Sequence, residues 1–200
     1  EFNESIEEEN TIVIDMRNFY ESEVGRFQNA EIPLVEKSKE LLPEVRRMLD
    51  GREGNDVLLY CTGGIRCEKA SSYLIKSGIN NVKQLQGGII RYAHDIRRNG
   101  MRSKFIGKNF VFDARLGERI TDDIIADCHN CGKPSDNHHD CSYDACHILF
   151  IQCVACSTKL DRCCSEECKK NASKSIEKQK EMRKDPKNII NKRYFTSPKN

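Results

Sequence analysis

Residues 57–67 read VLLYCTGGIRC and contain the most informative pattern of the chain. The apolar residues 57–60 predict a buried strand, because strands covered on both faces of a parallel sheet are continuously hydrophobic. Cys61 follows the strand directly, two glycines come next, and residues 68–77 predict a helix that ends before Gly78. A strand, a glycine-containing loop and a helix in this order are typical of an open α/β sheet, whose active sites lie beyond the carboxyl ends of its strands.

The segments around this stretch repeat the same alternation. Short apolar runs at residues 12–14 and 82–85 predict two more strands. Residues 38–49 and 89–98 carry apolar side chains at helical spacing and predict helices. Strands that alternate with helices predict an α/β fold, with a parallel sheet flanked by helices.

Cys61 is a candidate nucleophile. Gly63 and Gly64 allow backbone N–H groups to turn towards the sulfur, and the N-terminus of the following helix adds partial positive charge. Arg66 adds a full positive charge, so three features lower the pKa of the thiol and favour the reactive thiolate. The alternative is a cysteine that only packs at the strand end.

Cys67 has two open interpretations. It lies six residues after Cys61, just inside the predicted helix. It is either a thiol that resolves an oxidised or persulfidated Cys61 as a disulfide, or a packing residue between helix and sheet.

The cysteines are unevenly distributed. The chain has 11 of them, and only Cys61 and Cys67 precede residue 128. A secreted disulfide scaffold spreads its cysteines through the fold, so this distribution indicates a reducing compartment and a cytoplasmic protein. No apolar run approaches the roughly 20 residues that span a bilayer, so we expect no membrane association. The chain starts with Glu1 rather than Met, and we expect it to be a fragment.

Residues 128–168 are a cysteine-rich module that predicts zinc binding. Pairs of nearby thiolates each supply one edge of a tetrahedral zinc site. Eight of the nine cysteines suffice for two zinc ions of structural role, and the expected ligands are Cys128, Cys131, Cys141, Cys146, Cys153, Cys156, Cys164 and Cys168. The pairing stays open: Cys128 and Cys131 join either residues 141 and 146 or residues 153 and 156. Either Cys163 or Cys164 is the spare thiol, and disulfides or an iron–sulfur cluster are the alternatives to zinc.

Composition divides the chain into four parts. We expect a sheet domain over residues 1–104, a linker or extra strand over 105–127, the cysteine-rich module over 128–168 and a basic tail over 169–200 that is partly disordered. The tail holds eleven Lys or Arg against three acidic residues. With the tail, Arg97, Arg98, Lys104 and Lys108 form a candidate path for RNA phosphates. The alternative is ordinary solvated surface charge.

Four motifs together resemble the rhodanese family. They are residues 14–17 (IDMR), residues 20–30 (YESEVGRFQNA), the loop at 60–66 and residues 86–88 (QGG). That family transfers sulfane sulfur through a cysteine persulfide held in a six-residue loop, which here is 61–66. The spacing C-x4-R disfavours the related phosphatases, whose loops are C-x5-R. The chain departs from the common family pattern at Arg26 and Phe27, where many members have His and Ile.

A narrower resemblance, over about residues 10–170, is to the bacterial tRNA uridine hydroxylase family. It is carried by residues 61–69 (CTGGIRCEK), residues 107–113 (GKNFVFD) and the cysteine-rich module. The resemblance implies oxygen-dependent 5-hydroxylation of uridine at the tRNA wobble position, with molecular oxygen as a substrate and tRNA as partner. It also implies a ferredoxin-like domain before the rhodanese part, so we expect this chain to be a C-terminal fragment of such a protein.

The expected site follows from the loop and the resemblance together. The catalytic residues are Cys61, Arg66 and Cys67, and the substrate loop consists of Thr62, Gly63, Gly64 and Ile65. Two other functions stay open. One is a thiosulfate-type sulfurtransferase that works through a Cys61 persulfide, and the other is a non-enzymatic zinc module that binds RNA or protein.

Overall fold

The computed structural model describes residues 1–35, 38–113 and 115–184. The chain divides into two compact units, Glu1–Asp123 and Ile124–Asn200. This boundary falls inside the segment 105–127, while the four-part division expected from composition stays a prediction. Among the described residues, no helix is both long enough and apolar enough to cross a membrane.

The first unit contains a parallel sheet with helices. Its elements are α1 (Phe2–Ser5), β1 (Thr11–Asp15), α2 (Phe19–Glu23), β2 (Gly25–Phe27), α3 (Ser38–Met48), β3 (Asp56–Tyr60), α4 (Ile65–Lys76), β4 (Val82–Gln84), α5 (Gly88–Asn99), β5 (Phe105–Asn109) and β6 (Glu118–Arg119). Strands β1, β3 and β4 pair in parallel in the order β1-β3-β4. The predicted α/β fold with a parallel sheet is therefore confirmed.

The two faces of this sheet are both buried, which explains its continuous apolar strands. Successive side chains of a strand point to opposite faces. Ile14 and Leu59 pack on one face with residues of α3 and α4, while Val13 and Leu58 pack on the other with residues of α5. Covering both faces in this way fixes the carboxyl ends of β1 and β3 side by side, with Asp15 opposite Tyr60.

Helix α4 begins at Ile65, three residues before the predicted start. Gly64 has a φ of +94°, in the left-handed region that favours glycine, and it turns the chain directly into the helix. The amide of Cys67 donates to the Gly64 carbonyl at 3.0 Å. Residues 65–67 are therefore helical, so Arg66 and Cys67 lie in the first turn.

The first unit also contains a second sheet, to which the segment expected to be a linker or an extra strand contributes β5. Strand β5 pairs antiparallel with β2 and with β6. The segment at Arg26 and Phe27 is thus a strand, and Phe27 is the centre of an aromatic cluster. Its ring lies 4.7 Å from that of Tyr60, 4.8 Å from Tyr92 and 5.3 Å from Phe105, all edge to face.

The second unit begins at Ile124 and is built around cysteines. Its elements are β7 (His138–Asp140), β8 (Leu149–Ile151), α6 (Val154–Lys159), α7 (Glu166–Ala172) and α8 (Ile176–Lys184). Strands β7 and β8 form an antiparallel hairpin. The small core consists of Tyr143, Ile148 and Phe150 with four buried cysteines. We expect the disordered part of the basic tail to follow Pro186, and those residues lie outside the described ranges.

Candidate functional site

Cys61 lies at the end of β3, and the loop that follows surrounds its sulfur with hydrogen-bond donors. The Gly64 amide donates to Cys61 Sγ at 3.1 Å. The hydrogen bond from the Cys67 thiol is the largest cause that lowers the pKa of Cys61, to about 5; burial opposes it, and the backbone amides and Arg66 add to it. Cys61 is therefore a thiolate at neutral pH.

Cys67 is fully buried, in the same apolar cluster as Cys61. Its pKa is raised, first because its thiol proton is held in the hydrogen bond to Cys61 and second because of burial. The two thiols thus share one proton, which lies on Cys67. A protonated thiol in this position could serve as a resolving thiol, and it could also serve as the hydrogen-bond donor that stabilises the Cys61 thiolate.

The start of α5 holds the loop in place. The amides of Ile89 and Ile90 donate to the carbonyls of Cys61 and Thr62, at 3.0 and 3.1 Å. A Cβ atom at Gly88 would lie 2.5 Å from each of these two carbonyl oxygens, and Gly88 has a φ of +63°. The glycines of the motif at 86–88 are therefore needed so that α5 can approach the loop this closely.

Glu21 is a residue of the site that the sequence interpretation did not identify. Its fully buried carboxylate receives hydrogen bonds from both terminal nitrogens of Arg66, at 2.7 and 2.9 Å. Thr62 joins the pair, since its hydroxyl accepts from Arg66 at 3.2 Å and lies 3.4 Å from Glu21 Oε2. Asn18 and Glu21 form a capping box on α2. The N-x-x-E spacing at 18–21 was the one signal in the sequence, and it predicts a helix start but no partner in the loop.

A second buried ion pair lies beside the first. Arg17 and Asp15 are both fully buried, and their side chains meet at 2.7 Å. Tyr60 donates to the same carboxylate at 2.8 Å, and Arg17 donates to the Gly25 carbonyl at 2.6 Å. The charges of Asp15, Arg17, Glu21 and Arg66 cancel as two pairs. The Cys61 thiolate is therefore stabilised by directed donors more than by an excess of positive charge.

The rim of the loop is apolar and open. Ile65 is 81% exposed and Gly63 is exposed as well, whereas Thr62 and Arg66 are half-buried. The loop thus presents a hydrocarbon side chain to solvent next to a buried sulfur. Such a surface suits the flat face of a neutral ring.

The structure brings eight of the nine cysteines of the second unit together as two groups of four. In each group the sulfur atoms lie within 4.8 Å of one another. The first group is Cys128, Cys131, Cys153 and Cys156, and the second is Cys141, Cys146, Cys164 and Cys168. Among the alternatives left open by spacing, the cross-braced pairing is the one that the fold adopts. Cys163 is buried in the small core and belongs to neither group.

The geometry of both groups fits a tetrahedral metal ion. All 11 cysteines are free, and sulfur atoms in the groups lie 3.7 Å apart for Cys131 and Cys153 and 3.7 Å apart for Cys146 and Cys164. A disulfide needs about 2.05 Å. Four thiolates at about 2.3 Å from a zinc ion lie about 3.8 Å from one another. The donor set therefore has the size and chemistry of a zinc tetrathiolate.

Hydrogen bonds from amides and thiols lower the pKa of one cysteine in each group. Burial raises the pKa of Cys128, but amides of Cys153, Asn130 and Cys131 donate to its sulfur, and the net result is a pKa of about 6. In the second group the thiols of Cys146 and Cys164 donate to Cys141 and lower its pKa to about 2. Each group thus contains one cysteine that is ionised at neutral pH and can bind a metal cation.

The four candidate RNA contacts all lie in the first unit. Arg97 pairs with Glu118 at 2.9 Å, and Lys104 pairs with Glu7. Arg98 is exposed, and Lys108 is half-buried on β5. Arg97 and Lys104 therefore have acidic neighbours that compete with phosphate, and their role in RNA binding stays a prediction.

Comparison with known proteins agrees with this geometry. The family pattern described as rhodanese-like domain matches residues 1–95, and the one described as rhodanase C-terminal matches residues 106–169. The tRNA uridine(34) hydroxylase of Leptospira interrogans is 49% identical over 199 residues, which are 100% of this chain and 54% of that protein. The protein of the same name from Yersinia enterocolitica is 50% identical over 182 residues, which are 90% of this chain and 52% of that protein.

Among solved structures, a rhodanese-related protein from Thermoplasma volcanium is 20% identical and covers 52% of this chain and 90% of its own, with a TM-score of 0.39. The chain spans about half the length of the curated relatives that it matches. The two family patterns together cover most of the chain, and the relatives share about half of its residues. The chain belongs to the rhodanese-like family, in the group whose curated members are named tRNA uridine(34) hydroxylase.

Proposed function

We propose that the protein hydroxylates C5 of uridine 34 in tRNA, with Cys61 as the reacting nucleophile and molecular oxygen as co-substrate. The observation that carries the proposal is the relationship to tRNA uridine(34) hydroxylases, which extends over the whole chain at 49% identity. The Cys61 loop supports it, because its thiolate is preformed beside an open apolar rim. Such an enzyme works in the cytoplasm, where tRNA is modified.

A thiolate at this position has a direct route to C5. Addition of Cys61 Sγ to C6 of uracil forms a C–S bond and moves the ring π-electrons towards O4, which makes C5 nucleophilic. C5 then takes one oxygen atom from molecular oxygen, and two electrons from an external reductant, with two protons, reduce the other oxygen atom to water. Loss of the C5 proton then re-forms the C5–C6 double bond and breaks the C–S bond, and the Gly64 amide and the Cys67 thiol stabilise the Cys61 thiolate that leaves.

The surroundings of Arg66 favour a neutral substrate over thiosulfate. Thiosulfate is a dianion and needs uncompensated positive charge near the sulfur. Arg66 already gives two hydrogen bonds to the buried Glu21 carboxylate. A uracil ring carries no charge, so its binding does not require an unpaired positive charge at Arg66. The loop is accordingly less suited to sulfur transfer from thiosulfate than to a reaction on uracil.

The two groups of four cysteines hold structural zinc ions under this proposal. Cys128, Cys131, Cys153 and Cys156 would bind one ion, and the other group the second. Zinc would supply the cross-links that the small core of the second unit cannot replace. No step of the reaction passes through these ions.

tRNA binding is proposed to use the basic residues of the first unit and of the tail. Arg97, Arg98, Lys104 and Lys108 each carry a charge that can meet a phosphate. Because Arg98 is exposed and no ion pair is recorded for it among the described residues, it is the best placed of the four. Base recognition is expected at the loop, where Ile65 is exposed.

The decisive experiment measures 5-hydroxyuridine in tRNA by nucleoside mass spectrometry. A strain that lacks the gene is complemented with the complete gene product as wild type, Cys61→Ser or Cys163→Ser. Cys163 is the matched control, because it is a buried cysteine outside the loop and outside both groups of four. Wild type and Cys163→Ser should restore the nucleoside and Cys61→Ser should not. Restoration by Cys61→Ser would refute the role of Cys61.

Two further measurements separate the alternatives. tRNA that contains 5-fluorouridine traps a thiolate on C6, so a stable covalent complex that disappears in Cys61→Ser supports addition at C6. Its absence, with activity intact, favours an oxidised or persulfidated Cys61 as the oxygen or sulfur carrier. A gain of about 32 Da on Cys61 after thiosulfate treatment, without any effect of the gene on tRNA, would identify a sulfurtransferase instead.

A further inference from the structure

Cys61 and Cys67 are arranged as a dithiol pair. Their side chains pack in one buried apolar cluster at the end of β3. Cys61 directly follows β3, and Cys67 lies in the first turn of α4, six residues later. Both are buried in the same cluster, with exposed fractions of 1% and 0%.

The loop makes this approach possible. Gly64 lies between the two cysteines and turns the chain through its left-handed conformation, and its amide also donates to Cys61 Sγ at 3.1 Å. The first turn of α4 then places Cys67 back over the strand end, with its amide 3.0 Å from the Gly64 carbonyl. The ring of residues 61–67 is closed by hydrogen bonds, and one S–S bond would close it covalently.

We propose that Cys67 is the resolving thiol of Cys61, and that a two-electron peroxide oxidant converts the pair into a disulfide. This inference does not depend on the tRNA activity. The Cys61 thiolate attacks one oxygen of the peroxide, the O–O bond breaks, and the sulfur becomes a sulfenic acid while hydroxide leaves. Cys67 sulfur then attacks the sulfenic sulfur, the S–O bond breaks, and the thiol proton of Cys67 leaves with the oxygen as water.

The consequence is protection of the nucleophile. Without a neighbouring thiol, a sulfenic acid in excess peroxide proceeds to sulfinic acid, which ordinary thiol reductants do not reverse. Condensation with Cys67 stops the oxidation at a disulfide that dithiothreitol reduces. The buried position of both sulfurs limits the reaction to small oxidants, and Cys67 is the other cysteine of the first unit.

The test uses the intact protein, purified with zinc and treated with hydrogen peroxide in small steps. Unreacted thiols are blocked with N-ethylmaleimide, and the peptides are mapped by mass spectrometry without reduction. We expect a Cys61–Cys67 disulfide, seen as a loss of about 2 Da, that returns to two thiols with dithiothreitol. A zinc-binding dye in the same sample reports whether the cysteines of residues 128–168 have reacted.

Variants make the result specific. In Cys67→Ser the hydroxyl still donates to Cys61 but forms no disulfide, so Cys61 should accumulate as sulfinic acid at peroxide doses that leave the wild type reducible. Cys163→Ser is the control and should behave as wild type. Sulfinic acid on Cys61 of the wild type without any Cys61–Cys67 disulfide would overturn the proposal, and so would a disulfide of Cys61 with another cysteine. The wild-type peptide map decides the matter even where Cys67→Ser folds poorly.

Discussion

Glu21 and Arg66 form a two-point ion pair in which each carboxylate oxygen receives one guanidinium nitrogen, at 2.7 and 2.9 Å. Glu21 is on α2 and fully buried, while Arg66 is on the first turn of α4 and two-thirds buried. The pair joins two elements that are far apart in the sequence and fixes the position of the loop between them. It also sets the charge that Cys61 experiences.

Replacement of Glu21 by Gln tests both effects. The variant leaves the Arg66 charge without its counter-charge, so we expect a loss of about 1–3 kcal/mol in the free energy of unfolding. The uncompensated Arg66 should also stabilise the thiolate further and move the pKa of Cys61 below its wild-type value. Urea unfolding and the pH dependence of alkylation measure the two results. Glu40→Gln, on the exposed first turn of α3, is the control and should change neither.

The reactivity of Cys61 should follow a thiolate with a pKa of about 5. Its rate of alkylation by iodoacetamide should be constant above pH 6.5 or so and fall as pH decreases through about 5, because only the thiolate reacts. An unperturbed thiol would instead lose reactivity below about pH 8.5. Peptide mapping of the alkylated protein assigns the rate to Cys61.

Two substitutions of Cys67 separate the effect of its hydrogen bond on the pKa of Cys61 from the effect of its side-chain volume. Cys67→Ala removes the donor and should raise the pKa of Cys61 by about 1 to 2, the equivalent of one hydrogen bond to a charged group. Cys67→Ser keeps a donor and should leave the pKa closer to that of the wild type. Equal alkylation profiles for wild type and Cys67→Ala would show that the Cys67 thiol does not stabilise the thiolate.

Gly88 should be intolerant of any side chain. Gly88→Ala places a methyl group 2.5 Å from two loop carbonyls in a left-handed conformation, so it must push α5 away from the loop. We expect a cost of about 3 kcal/mol or more and slower alkylation of Cys61. Gly51→Ala is the matched control, because Gly51 also has a positive φ of +75° but has open space around it. Its cost should be about 1–2 kcal/mol, with Cys61 reactivity unchanged.

The cross-braced cysteine groups predict a metal stoichiometry. Elemental analysis should find two zinc ions per chain in the wild type. Cys153→Ser should lose the first ion together with part of the second unit's structure, whereas Cys163→Ser should keep both, since Cys163 belongs to neither group. Loss of zinc in Cys163→Ser but not in Cys164→Ser would reverse the assignment of the spare cysteine.

The parts of the molecule that sequence could predict are the ones encoded locally. The strand at 57–60, the glycine turn and the helix after it are neighbours in the chain, so residues 57–67 predict them together. The start of α4 was placed three residues late, because the left-handed Gly64 begins the helix sooner than the apolar periodicity shows.

Glu21 could not be assigned from sequence, because its partner Arg66 is 45 residues away and an acidic residue in a short helix has no distinctive pattern. The cysteine pairing was undecidable for a similar reason. Each cysteine pair supplies one edge of a tetrahedron, and the folded second unit, with its hairpin of β7 and β8, determines which edges meet. Strand β2 was missed since three residues, Gly25–Phe27, are too few to show alternation.

The interleaved order of the cysteine groups has a consequence during synthesis on the ribosome. The ligands of the first group span residues 128–156, and those of the second group span residues 141–168. The two groups therefore overlap in the sequence. Neither has four ligands until Cys156 has been translated, and the earlier half of the module has no complete site on its own. A chain truncated between residues 141 and 156 therefore has no complete group of four thiolates, and we expect cellular quality control to meet it as an unfolded polypeptide and not as a smaller domain.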